Sequence, residues 1–131
     1  MKLKNVLLSF MLLIGVSTAC TAKQPAQVKL DVQQAVEKMN KSKKFIIVDV
    51  RTAKEYYDGH VENAVLMPMQ EMDTMAEKIL PNKKQTIFLY CRTGRRSNIV
   101  AQKLIESGYK SVYDIGGVMD KGFTDAFKIV K

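Results

Sequence analysis

Thr86-Ile87-Phe88-Leu89-Tyr90-Cys91-Arg92-Thr93-Gly94-Arg95-Arg96-Ser97 carries an apolar run straight into a cysteine, then into three arginines set around a glycine. A short continuous apolar run such as Thr86 to Tyr90 predicts a strand buried on both faces of a sheet. From Ser97 to Ser107, Ile99, Val100, Leu104 and Ile105 keep helical spacing, and Gly108 closes the segment. Cys91 therefore lies between the end of a strand and the start of a helix. In α/β proteins, sites form beyond the carboxyl ends of the strands.

The same alternation extends outward. Asp31 is a plausible N-cap for a helix to about Asn40, with Val32, Ala35, Val36 and Met39 on one face. Phe45-Ile46-Ile47-Val48 predicts a buried strand. Thr52 caps a short helix that carries Glu55, Tyr56 and Tyr57 and ends at Gly59. Val65-Leu66-Met67 reads as a strand stopped by Pro68, and the residues from Met72 to Leu80 as a helix. Ser111-Val112-Tyr113 reads as the last strand. Gly116-Gly117 opens a short C-terminal helical segment, with Phe123, Phe127 and Ile129 packed on the sheet. Strands alternating with helices predict an α/β fold, a central mostly parallel sheet flanked by helices on both faces.

The reactive form of a cysteine is the thiolate. The loop Cys91-Arg92-Thr93-Gly94-Arg95-Arg96-Ser97 favours it in three ways. Successive backbone N–H groups curled around the sulfur form an anion nest, the next helix points its positive end at the same place, and Arg92, Arg95 and Arg96 add formal charge. Gly94 permits a tight, left-handed turn. Ser97 either caps the helix or donates toward a bound anion. The same cradle suits an incoming anion such as thiosulfate and the negative charge of a persulfide. A tyrosine-phosphatase loop separates its Cys and Arg by five residues. Here four residues separate Cys91 from Arg96, and the shorter loop encloses a pocket sized for sulfur rather than for a phosphate ester.

Other chemistry-bearing residues take plainer readings. His60 is the only histidine, so no His/Cys metal cluster can be built, and it is read as fixing the loop after the first short helix. Asp49, Arg51 and Glu55 are read as an ion-pair and capping network rather than a substrate-facing trio. Gly116-Gly117 allows close backbone approach beside the Cys91 loop. Met67, Met69, Met72 and Met75 fill core space beside Ile79 and Leu80 rather than bind a soft metal. No metal and no cofactor are called for.

Three pieces together resemble the rhodanese family: Asp49-Val50-Arg51-Thr52 with Glu55-Tyr56 and Gly59-His60-Val61-Glu62-Asn63-Ala64; the Cys91–Ser97 loop; and Val112-Tyr113-Asp114-Ile115-Gly116-Gly117. The resemblance implies a rhodanese-like domain in which Cys91 takes the outer sulfur of thiosulfate and passes it to a thiol or cyanide acceptor. By position, the loop amides from Arg92 to Arg96 would cradle the persulfide and Arg96 would close the ring. In size and layout the chain is similar to exported single-domain rhodaneses of the phage-shock type. It departs from the family where a tryptophan commonly follows the paired glycines: Val118-Met119-Asp120-Lys121 stands there, and the chain has no Trp. Two other functions stay open: a lipid-tethered, non-catalytic persulfide carrier or binding module of the cell envelope, and a small phosphatase or arsenate reductase.

Lys2 and Lys4, the apolar run Val6 to Val16, and Ser17-Thr18-Ala19 before Cys20 describe a secretory leader. Cys20 after small residues resembles a lipobox, although Ser17 stands where leucine is usual. The expected organisation is a signal peptide over 1–19, a tether over 20–27 containing Pro25, and the domain over 28–131. The mature protein is expected in the periplasm or cell envelope, lipid-anchored through Cys20, as a monomer. Ser17 and Ala19 would equally suit an ordinary signal peptidase and a soluble product. With Cys20 lipidated, Cys91 has no disulfide partner, and a lone thiol is either buried and inert or kept for reactivity. The net charge of +8 falls to +6 once Lys2 and Lys4 leave with the leader. The remaining lysines are scattered without aromatic interleaving, which argues against nucleic-acid binding.

Overall fold

The computed structural model describes residues 28–131, so the leader, Cys20 and the tether lie outside the described residues. In chain order the elements are β1 (Val28–Lys29), α1 (Val32–Lys41), β2 (Ile46–Asp49), α2 (Ala53–Asp58), β3 (His60–Val61) and β4 (Val65–Leu66). A 3-10 turn (Met69–Glu71), α3 (Met72–Ile79), β5 (Thr86–Cys91), α4 (Arg95–Glu106), β6 (Ser111–Gly117), α5 (Phe123–Ala126) and β7 (Ile129–Val130) follow.

Local chemistry explains the early boundaries. Asp31 and Gln34 form a reciprocal capping box at the start of α1, and Thr52 with Glu55 forms a second at the start of α2. The main sheet has the order β1-β6-β5-β2-β4, with every neighbouring pair parallel. β3 and β7 form a separate antiparallel ribbon. β5 is the central strand, and its side chains alternate between two cores, as the two-residue period of a strand requires. Ile87, Leu89 and Cys91 pack with residues of α3 and α4, whereas Phe88 and Tyr90 pack with residues of α1 and α5. Helices thus cover both faces, as the sequence predicts. Met67 and Met72 are buried in the first core with Met69 and Met75 against it.

Several boundaries differ from the sequence reading. Phe45 precedes β2, beyond the last ladder pair Ile46↔Ile87, and is 38% exposed with its ring edge-on to Phe88. α4 begins at Arg95 rather than Ser97, because Gly94 adopts φ +92° and turns the chain into the helix at once. β6 runs through Gly117, so the paired glycines end a strand rather than open a helix, and α5 starts only at Phe123. Phe123 and Phe127 join the second core, but Ile129 enters the ribbon and is 38% exposed.

Candidate active site

Cys91 is the last residue of the central strand and is fully buried. The backbone N–H of Gly94 donates to its sulfur at 3.0 Å. That bond closes the loop on the sulfur, and it requires the left-handed conformation that glycine adopts without penalty. α4 has no side-chain cap, so its first-turn N–H groups, those of Arg95, Arg96 and Ser97, have no partner within the helix. An uncapped helix N-terminus beside a sulfur stabilises negative charge there.

Ser97 is not the N-cap. It sits in the first turn of α4, fully buried, with its hydroxyl 2.7 Å from Asp114 Oδ1 and 3.5 Å from Cys91 Sγ. A hydroxyl has one proton, and the nearest acceptor is the carboxylate of Asp114. Asp114 Oδ1 also accepts the N–H of Gly116 at 3.0 Å, while its Oδ2 is buried with no partner among the described residues.

The three arginines part company. Arg92 and Arg95 are exposed. Arg96 makes a two-pronged ion pair with Glu55, Nη1 to Oε2 at 2.8 Å and Nη2 to Oε1 at 2.9 Å. That pair, opposed by partial burial and helped by the bonds from Thr52, holds the Glu55 carboxyl down to about 2. Glu55 in turn is the main cause that keeps the Arg96 guanidinium above its ordinary range, with Cys91 a lesser one. Arg96 is therefore clamped to α2 beside the loop.

A buried network fixes α2 in turn. Arg51 binds Asp49 through Nε and Nη2 and reaches the carbonyl of Gly59 at 2.7 Å. The Tyr90 hydroxyl donates to Asp49 Oδ2 at 2.6 Å and accepts the N–H of Val61 at 3.0 Å. Burial first, and that bond to Asp49 second, push the Tyr90 phenol above its ordinary range. Asp49, Arg51 and Glu55 are thus the ion-pair and capping network read from sequence. His60 stacks on Tyr56 at 3.7 Å and bonds its carbonyl through Nδ1 at 2.9 Å, which pins the turn after α2.

The paired glycines brace the loop from the other side. A Cβ at Gly117 would collide with the carbonyl of Arg92. The N–H groups of Val118 and Met119 bond the carbonyls of Cys91 and Arg92 at 3.0 Å each. Next to this seam a cleft of about 440 Å³ opens, with Arg51, Glu55, Arg92, Val118, Thr124 and Ile129 among its walls.

Comparison with known proteins decides the family. The sequence model of the Rhodanese-like domain matches residues 32–124. The chain belongs to the rhodanese-like family. This rhodanese is 34% identical over 73 residues to the thiosulfate sulfurtransferase PspE of Escherichia coli, spanning 56% of the chain and 70% of that protein. It is 35% identical over 77 residues to the thiosulfate sulfurtransferase GlpE of Coxiella burnetii, spanning 59% and 70%. Among solved structures, a rhodanese with anions from E. coli superposes with a TM-score of 0.61 at 32% identity, over 67% of this chain and 99% of that one. Sulfur transfer is the chemistry of this chain.

Sequence reasoning brought Cys91, Gly94, Arg96 and Ser97 to one place, and the rhodanese structure unites them. It missed Asp114 as the partner of Ser97. The available signal was an acidic residue inside an otherwise apolar strand. It also missed Tyr90 as the partner of Asp49, since a tyrosine ending an apolar run reads as core. Thr124 and Ile129 reach the cleft wall only through the fold of the C-terminal segment, and no local pattern announces that.

Proposed function

We propose that this rhodanese-type sulfurtransferase uses Cys91 as nucleophile and sulfur carrier, with thiosulfate as donor and a thiol or cyanide as acceptor. The Cys91 thiolate attacks the outer sulfur of thiosulfate. The S–S bond of the donor breaks, its electron pair leaves with sulfite, and Cys91 holds a persulfide. The acceptor then attacks the outer persulfide sulfur, and the electron pair of that S–S bond returns to Cys91 as thiolate. Cyanide leaves as thiocyanate and a thiol leaves as its persulfide.

The observation that carries this reading is the Gly94 N–H, 3.0 Å from Cys91 Sγ at the mouth of an uncapped helix. Charge on the inner sulfur is met by a fixed amide dipole that needs no reorganisation. The loop amides from Arg92 to Arg96, with Thr93 and Arg95 on its exposed side, serve the outer sulfur. Arg96 contributes by holding the loop to Glu55. The names of the PspE and GlpE relatives support thiosulfate as donor. Initial rates of thiocyanate formation over a grid of thiosulfate and cyanide concentrations test it. Parallel double-reciprocal lines support a persulfide enzyme, and intersecting lines, or full turnover by Cys91→Ser, refute it.

The mature protein is proposed to act as a monomer in the cell envelope, anchored by lipid on Cys20. The basic, apolar and small-residue order of the leader supports this. Metabolic labelling with a fatty acid should mark the wild type in the membrane fraction and leave Cys20→Ser unlabelled. An unlabelled wild type recovered in soluble form would refute the anchor.

A further inference from the structure

The main sheet is wholly parallel, so its strands all begin at one end of the domain, and Cys91 closes β5 at the other. Each crossover helix, α1, α3 and α4, returns the chain from the Cys91 end to the end where the next strand begins. That topology gathers lysines that are scattered along the sequence. Lys38 and Lys41 lie in the last turn of α1, Lys78 in that of α3 and Lys103 in that of α4. Lys43 and Lys44 lead into β2, Lys83 and Lys84 into β5, and Lys110 into β6. The Lys110 N–H bonds the Lys83 carbonyl at 3.0 Å, which joins two of these connections directly.

Cations in a last turn complement the helix dipole, and Lys83 Nζ reaches the Ser107 carbonyl at the end of α4 at 2.8 Å. Lys43, Lys44, Lys84 and Lys110 lie outside the helices. All four are exposed, and none forms an ion pair among the described residues. Glu77 and Glu106 are the carboxylates in the last turns of α3 and α4, and the lysines outnumber them. Phe45, between Lys44 and β2, adds an aromatic ring that is 38% exposed. Clustered cations beside an exposed ring suit an anionic lipid surface, which takes the charges at its headgroups and the ring at its interface. The course of the chain points the same way. β1 begins at Val28 and runs parallel to β6, so residue 27 leaves the domain at the lysine end. The eight residues 20–27 span at most about 28 Å when fully extended. A lipid on Cys20 would therefore hold this end, and not the Cys91 end, toward the bilayer.

We infer that the lysine face at the amino ends of the strands docks the domain on an anionic phospholipid membrane. Lys43, Lys44, Lys84 and Lys110 meet the headgroups, and Phe45 enters the interface beside them. The Cys91 loop then stands about 17 Å farther out along β5, turned toward the aqueous side. This rests on the reading of the chain as a lipid-anchored envelope protein, and it is independent of the sulfur chemistry.

The test uses residues 20–131 with Cys20→Ser, so that no lipid is attached. The protein is floated with vesicles of phosphatidylglycerol and phosphatidylethanolamine, or of phosphatidylcholine alone. It should bind only the anionic vesicles, and added salt should release it. Lys43→Gln, Lys44→Gln, Lys84→Gln and Lys110→Gln together should weaken binding roughly 100-fold or more, at about fivefold per lysine. Lys54→Gln, Lys121→Gln, Lys128→Gln and Lys131→Gln remove the same charge from segments beyond the carboxyl ends of β2 and β6, and should weaken it far less. The chain has no tryptophan, so Phe45→Trp gives a single fluorescent reporter at the lysine end and Met119→Trp one at the Cys91 end. Brominated acyl chains should quench the first and spare the second. No binding to anionic vesicles, equal binding to both kinds, equal loss in the two fourfold variants, or quenching of Met119→Trp alone overturns the inference. Binding of duplex DNA in preference to anionic vesicles overturns it as well and assigns the face to nucleic acid. Because the tested chain carries no lipid, these outcomes judge the lysine face alone, while fatty-acid labelling of Cys20 judges the anchor.

Discussion

The sulfur of Cys91 is governed by three neighbours with different duties. Gly94 gives an amide to the sulfur, Ser97 packs its hydroxyl beside it, and Asp114 holds that hydroxyl from behind. Asp114 is fully buried and accepts from both Ser97 and Gly116. Asp114→Leu strands two buried donors, and each should cost about 1–3 kcal/mol. Asp114→Asn keeps one acceptor oxygen and should cost less; urea unfolding of the two variants compares them. Glu55 makes a different kind of prediction. Its carboxyl lies at about 2 in the folded protein against an ordinary 4.5, chiefly because of Arg96. A depressed folded value means that the pair stabilises the fold fully above the unfolded value, and that this contribution fades as pH falls from about 4.5 toward about 2. The difference in urea midpoint between wild type and Glu55→Gln should be largest near neutral pH and shrink through that window. A difference that stays constant with pH would mean that the ionised pair is not its source.

The site depends at the level of elements on the seam between the Cys91 loop and the end of β6. There the backbone of Gly117 lies against the Arg92 carbonyl with no room for a side chain. Gly117→Ala must push the two segments apart and should cost about 1–3 kcal/mol, the usual scale of overpacking. It should also lower sulfur transfer, because Val118 and Met119 bond the carbonyls of Cys91 and Arg92 from that same strand end. Thermal unfolding and initial rates read both effects. An alanine variant with wild-type stability and rate would show that the seam can relax. The N-caps that begin α1 and α2 were legible, since Asp31 and Thr52 are local signals. The start of α4 was misread at Ser97 because a serine before an apolar face looks like a cap. The left-handed Gly94 already starts the helix, and the serine turns inward to a buried carboxylate that no local pattern reveals. The length of β6 was underestimated for a similar reason: paired glycines suggest a turn until the neighbouring loop they accommodate is in view.

For the whole molecule, the alternation of strands and helices was enough to place Cys91 at the carboxyl end of a buried strand, and the fold makes that strand the central one between two cores. The cleft was not legible, because it joins α2, the Cys91 loop, the strand end and the C-terminal ribbon, all distant in sequence. Only the closed fold brings Arg92, Val118 and Ile129 to one surface. The sulfur-carrier role of Cys91 is tested most directly by intact-protein mass spectrometry before and after thiosulfate, with Cys91→Ser alongside. The wild type should gain the mass of one sulfur atom, lose it on addition of cyanide, and leave the serine variant unchanged. A folded wild type with a free thiol and no mass gain, or an equal gain in Cys91→Ser, would contradict Cys91 as the sulfur carrier.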